Sequence, residues 1–258
     1  MINDEKLMEY NFRGFIPGPQ EKASTFLKRA ELAKYAESSY QATVIVQSLF
    51  DICPSWVRIE STDRLPLWEA AATYIEENQG IFIPVVQMKK KGVPFWCSQE
   101  EILAHELIHA MRIAFKESLF EEVLAYKTSS NRLRRYFGPM FFHPKEAVLF
   151  LVFLVGMWCY QLGYLFFFDD LPNLALWIPC VLTGLLIIRV VIVQTIFSLS
   201  LKKIHKLLKK SDKVLGFALR LSDREIIDFK SLDKMQKYIG KAKEKSLRWY
   251  MLALRYPI

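Results

Sequence analysis

Between Ser98 and Glu122 the chain reads SQEEILAHELIHAMRIAFKESLFEE. Within this stretch His105-Glu106-Leu107-Ile108-His109 sets two imidazoles four residues apart with a carboxylate between them. On a helix of about 3.6 residues per turn the two His share one face, one turn apart. That spacing suits two nitrogen ligands of a single Zn²⁺, with Glu106 placed to take a proton from a metal-bound water. Two His and a Glu on a half-buried helix are costly to desolvate unless something such as a metal compensates them.

A hydrolytic zinc site needs a third protein ligand and an open fourth position. Suppose the motif helix runs to about Phe115 and a turn at Lys116–Ser118 starts a returning helix. His109 then lies six residues before the end of the first helix, and Glu122 about five residues into the second, at a similar height. Glu121 meets the same condition. Glu117 falls in the turn, too near the bottom of the hairpin.

The elements around this hairpin follow from periodicity. Ser98 with Glu101 fits a capping box that opens the motif helix, and Ile102, Leu103, Leu107, Ile108, Met111 and Ala114 form its buried stripe. The second helix is expected from Leu119 to about Arg135, stopped by Gly138-Pro139. Upstream, Met1–Pro19 reads as irregular, Gln20–Ser38 as an amphipathic helix and Ala42–Phe50 as a helix rather than a strand. Strand patterns follow at Trp56–Glu60, Thr73–Glu76 and Ile81–Met88, the last two flanking the turn signal Asn78-Gln79-Gly80. Pro84 interrupts Ile81–Met88, and proline in a strand predicts a sheet edge with one open side, along which an extended peptide could lie. Lys89-Lys90-Lys91-Gly92 ends the sheet.

Of the 258 residues 52% are hydrophobic and 24% charged, so the two classes must be segregated into blocks. The largest apolar block, Ala147–Phe168, holds 22 residues without a charge. At 1.5 Å per residue it would extend about 33 Å, against a bilayer core of about 30 Å. After the acidic turn Asp169-Asp170-Leu171-Pro172-Asn173 comes a second apolar run, Leu174–Ile188; read as a span from Leu171 to Ile188 it would cover about 27 Å, with Arg189 able to snorkel to the interface. Lys127, Arg132, Arg134, Arg135 and Lys145 precede the first span, and Lys202, Lys203, Lys206, Lys209, Lys210 and Lys213 follow the second. Positive charge stays in the cytosol, so both termini and the motif are expected there, in an integral membrane protein with two spans.

The net charge of +8 is explained by these flanks, and no nucleic-acid-binding motif accompanies it, so no nucleic-acid partner is expected. The N-terminal stretch has no apolar core of a signal peptide. Cys53, Cys97, Cys159 and Cys180 form no C-x-x-C pair, which argues against a disulfide framework. The last block, Lys202–Ile258, is basic and helical in pattern, with a second capping box at Ser222 and Glu225 and an apolar end at Trp249, Tyr250, Leu252 and Leu254. The expected organisation is a cytosolic domain carrying the motif at 1–145, a transmembrane helical hairpin at 146–201 and a small basic helical C-terminal region at 202–258.

His105-Glu106-x-x-His109 followed by Glu122-x-x-Ala125 resembles the gluzincin zinc metallopeptidases, the thermolysin-like and HtpX-like group. The resemblance implies an α+β zincin-like catalytic domain, a small sheet plus an active-site helix pair. It implies one Zn²⁺ per chain held by His105, His109 and Glu122, with Glu106 as general base in peptide-bond hydrolysis. Ala125 would let the two helices approach closely. Tyr126 stands where many members carry an Asp that orients a zinc-bound imidazole, and it is a candidate hydrogen-bond donor to the substrate. The partners implied are a protein or peptide substrate and a lipid bilayer. The alternative expectation is a membrane-tethered interaction protein whose zinc site is structural or degenerate.

Overall fold

The computed structural model of the chain describes residues 3–33, 40–66, 69–78, 80–90, 97–167, 174–209, 212–229, 238–242 and 246–256. Three helices, α1 (Asp4–Phe12), α2 (Ala23–Leu32) and α3 (Tyr40–Phe50), precede a sheet of β1 (Arg58–Thr62), β2 (Ala71–Asn78) and β3 (Ile81–Lys89). Then come α4 (Gln99–Arg112), α5 (Leu119–Tyr126), α6 (Arg132–Phe137), a 3-10 turn (Gly138–Met140) and two long helices, α7 (Pro144–Phe167) and α8 (Leu174–Leu207). The C-terminal part contains α9 (Val214–Leu219), α10 (Asp223–Asp228) and α11 (Leu247–Arg255). The chain is thus mixed α/β with one small sheet. The acidic turn 169–173, Gln79 and Lys91-Gly92 lie outside the described residues.

The sheet order is β1-β3-β2, with β1 parallel and β2 antiparallel to β3. The expectation that Ile81–Met88 forms an edge is therefore wrong: β3 is the central strand. Pro84 is tolerated because the β1 ladder begins one residue later, at Arg58↔Val85, so at Pro84 only Ile75 of β2 stands opposite. The edges are β1 and β2.

The N-terminal segment, expected to be irregular, is helical over α1. Asn3 caps it by accepting from the Glu5 N–H, Asp4 and Glu5 complement the dipole, and Leu7 and Tyr10 are buried. The helix expected from Leu119 to Arg135 is two helices. Thr128 Oγ donates to the Ala125 carbonyl at 2.7 Å, and Asn131 then caps α6 by accepting from the N–H groups of Leu133 and Arg134. A run of Thr128-Ser129-Ser130-Asn131 offers the backbone such competing side-chain bonds, and the helix breaks there.

One buried cluster joins both ends of the chain. Phe15, Phe26, Phe50 and Trp56 from the N-terminal part, Leu107, Met111, Phe120 and Leu124 from α4 and α5, and Phe217, Phe229, Trp249 and Tyr256 from the C-terminal part all belong to it. Buried Arg220 ties these parts together through Asn11 (2.6 Å), the Gly216 carbonyl and the Tyr256 hydroxyl (3.0 Å). The second capping box forms as expected: Ser222 accepts from Glu225 N–H, and Glu225 from Ser222 N–H.

The helices α7 and α8 are each long and apolar enough to cross a membrane. On α7, Leu149, Leu151, Val152, Val155 and Trp158 are exposed, as are Trp177, Val181, Leu185 and Ile188 on α8. Beyond Arg189 the character of α8 changes, although the helix does not break. Val190, Val193, Phe197, Ser200 and Ile204 are buried against the rest of the chain, so the position 201/202 falls inside one continuous helix. Arg189 does not reach out alone; it grips Glu146 at the base of α7 with two bonds (3.0 and 3.1 Å) and lies over the Phe142 ring.

Candidate metal centre

Helix α4 presents the motif because its start and its stripe are well specified. Ser98 accepts from the Glu101 N–H, Glu100 and Glu101 lie in the first turn, and Ile102, Leu103, Leu107, Ile108 and Met111 are buried. It stops at Arg112, slightly before the expected Phe115, because the chain turns through Lys116 in the left-handed region (φ +55°) to start α5. Contacts between α4 and α5 then bring three side chains together.

His105 Nε2 and His109 Nε2 are 3.2 Å apart, and the Glu122 carboxylate approaches them at 3.7 and 3.6 Å respectively. A tetrahedral zinc site with ligands about 2.0–2.1 Å from the metal has edges of about 3.3–3.5 Å. The three potential ligand atoms all lie within 4.8 Å of one another, at the scale of such a site. The His and Glu side chains keep 14–20% of their surface exposed, so the cluster is reachable from one side.

Both imidazoles are held by their outer edge. His109 Nδ1 meets Glu121 Oε1 at 2.8 Å, and His105 is hydrogen-bonded to the Ala125 carbonyl. Each outer bond leaves Nε2 facing inward, the arrangement in which a neighbouring acceptor fixes tautomer and ring orientation for a metal. The structure therefore separates the two glutamates that the sequence left as alternatives: Glu122 faces the cluster and Glu121 stands behind His109. The Tyr126 ring packs edge-on against His105 (4.7 Å between centroids), and Gly138 lies so close behind it that a Cβ there would collide with the ring.

The electrostatics are those of a site built around positive charge. Burial pushes His109 down, but the Glu121 bond and the charges of Glu122 and Glu106 outweigh it and raise it to about 9. Burial, the neighbouring His109 charge and Arg134 hold His105 well below its usual value. Burial lifts Glu122 to about 7. A proton on His109 thus occupies the pair, and a divalent cation with two neutral imidazoles and one carboxylate is the natural competitor for that place. His105, His109 and Glu122 together could hold a metal ion.

Glu106 lies on the sheet side of α4. Thr73 Oγ donates to its Oε2 at 2.8 Å, fixing one carboxylate oxygen. Thr73 sits on β2, opposite Val86, so the edge strand runs beside Glu106. Burial and the Glu122 charge push the Tyr126 hydroxyl to about 12, which keeps it a neutral donor. His143, beside the start of α7, is exposed and bonds to Ser118 Oγ at 3.1 Å; it does not join the cluster.

Two contributors had no local signal in the sequence. Arg112, fully buried, donates to the carbonyls of Leu219 and Leu221 (2.9 and 2.8 Å), bonds Asp223 and lies 3.7 Å from Glu121. Asp223 in turn accepts from the N–H groups of Leu119 (2.9 Å) and Phe120 (3.4 Å), the first residues of α5. Ser118, the residue at the N-cap, makes no side-chain capping bond. The helix carrying Glu122 is therefore capped from a segment 104 residues away. The chain matches no protein-family model, no curated protein and no solved structure.

Proposed function

We propose that this chain is a membrane-anchored zinc metalloendopeptidase of gluzincin type, with His105, His109 and Glu122 as zinc ligands and Glu106 as general base. The observation that supports it most is the convergence of both Nε2 atoms with the Glu122 carboxylate, while Glu106 stands beside them with one oxygen held by Thr73. When bound, zinc lowers the pKa of a water to about 7 and polarises the scissile carbonyl. Glu106 takes the water proton and delivers it to the leaving amine, and its Thr73 bond keeps the second oxygen aimed at that task. An extended peptide adds to the open edge of β2, which places its backbone along Glu106. The orientation follows from flanking charge: α7 and α8 cross the bilayer, and the basic flanks, both termini and the site lie in the cytosol.

The test uses the purified full chain. Wild type is expected to carry one zinc and to cleave an unfolded protein substrate in a chelator-sensitive manner. Glu106→Gln should keep the zinc and lose about 10²–10⁴-fold in cleavage. Stoichiometric zinc with no cleavage in either protein would instead support a structural site in a tethered interaction protein.

A further inference from the structure

Helix α6 presents an apolar triplet that the described residues cover only in part. Leu133 is 70% exposed, Tyr136 38% and Phe137 37%. At positions i, i+3 and i+4 they share one face. Apolar side chains gathered on one exposed face of a six-residue helix are candidates for an interaction site.

The height of α6 says which partner. Glu146 and Arg189 pair where α7 begins and where one face of α8 becomes buried against the rest of the chain, while Val191, Ile192 and Leu199 on its other face stay exposed; the pair marks the level at which that contact starts. Gln194 donates to the carbonyls of Tyr136 (2.9 Å) and Arg135 (3.4 Å), fixing the end of α6 against α8. Gln194 is five residues beyond Arg189, about 7.5 Å along the helix. The headgroup layer on each side of a bilayer is about 5–7.5 Å thick. The chain also passes from α6 through the 3-10 turn directly into α7. In sequence, exposed Arg132 and Lys145 lie on either side of the triplet.

We propose that α6 is a lipid-contacting element: Leu133, Tyr136 and Phe137 enter the interfacial layer of the leaflet in which α7 begins and the apolar half of α8 ends, and Arg132 and Lys145 meet headgroup phosphates. Tyrosine and other amphipathic side chains favour that layer, and basic residues beside it add attraction to phosphate. The inference rests on the reading of α7 and α8 as bilayer spans.

The experiment uses the full chain with its four native cysteines replaced by serine, reconstituted in phosphatidylcholine/phosphatidylglycerol vesicles. Leu133→Cys and, separately, Val155→Cys carry a nitrobenzoxadiazole fluorophore, and lipids bear a nitroxide either near the headgroup or deep in the acyl chain. The Leu133 probe is expected to lose fluorescence mainly to the shallow nitroxide, and the Val155 probe mainly to the deep one. Quenching at Val155 without quenching at Leu133 overturns the α6 proposal and leaves the spans standing. Quenching at neither position overturns both.

Discussion

Glu121 and His109 meet at 2.8 Å through Nδ1, on the side of the ring opposite His105. Two adjacent glutamates on α5 therefore have different tasks, one facing the cluster and the other orienting an imidazole. Zinc titration against a chromophoric chelator separates them. Glu122→Ala should abolish stoichiometric binding, whereas Glu121→Ala should weaken affinity by about 10–100-fold. Equal effects would refute the division.

Thr73 is expected to matter for chemistry and not for metal. Thr73→Val keeps the shape of β2 but frees Glu106 Oε2. A lost bond to a charged group is worth about 1.5–3 kcal/mol, which translates to a fall in kcat of about 10–100-fold with zinc content unchanged. Steady-state kinetics beside metal analysis checks it.

The Tyr126 ring fills the space between His105 and the Gly138 backbone. Gly138→Ala must displace that ring, and overpacking of this kind costs about 1–3 kcal/mol. Thermal unfolding should show the loss, and zinc affinity should fall with it because His105 loses its backing.

Asp223→Ala removes the cap of α5. A lost N-cap costs about 0.5–2 kcal/mol, and here the helix it releases carries Glu122, the proposed third ligand. Reduced stability with unaltered zinc affinity would show that α5 holds its place without the C-terminal segment.

Glu225 provides a pH test outside the metal centre. Burial raises its pKa, but two bonds from Arg248 (2.8 and 2.7 Å), the Ser222 N–H and Trp249 Nε1 outweigh that and hold it below the usual carboxylate range. The folded pKa is depressed, so this stabilisation is fully present above the unfolded value of about 4.3 and is lost as pH falls through the folded one. Glu225→Gln should cost about 3–5 kcal/mol at neutral pH by stranding Arg248. The gap to wild type in thermal unfolding should narrow at acidic pH.

What the sequence disclosed was what short-range patterns encode. The His105–His109 spacing, the Ser98 and Ser222 caps, the strand patterns and the uncharged run in α7 are each read within a window of a few turns. The features it did not disclose depend on partners far along the chain. Pro84 pointed to an edge, yet the β1 ladder that decides its place starts 26 residues upstream, at Arg58. Asp223 is invisible as the cap of Leu119, and nothing near Glu121 tells it apart from Glu122 until α5 is packed on α4. Past Arg189 the apolar pattern of α8 continues, because burial in a core and burial in lipid call for the same side chains.

The continuity of α8 has a mechanical meaning. Its inner half stacks Phe197 on Phe120, the residue just before Glu121 and Glu122, with ring centroids 5.7 Å apart. Under the proposed placement its outer half is a lever embedded in lipid. A thinner bilayer is met by tilting such a rod or by deforming the membrane around it. Tilt applied at Ile188 would be delivered at Phe197 and passed to the glutamate pair, making membrane thickness an input to the geometry of the His105, His109 and Glu122 cluster.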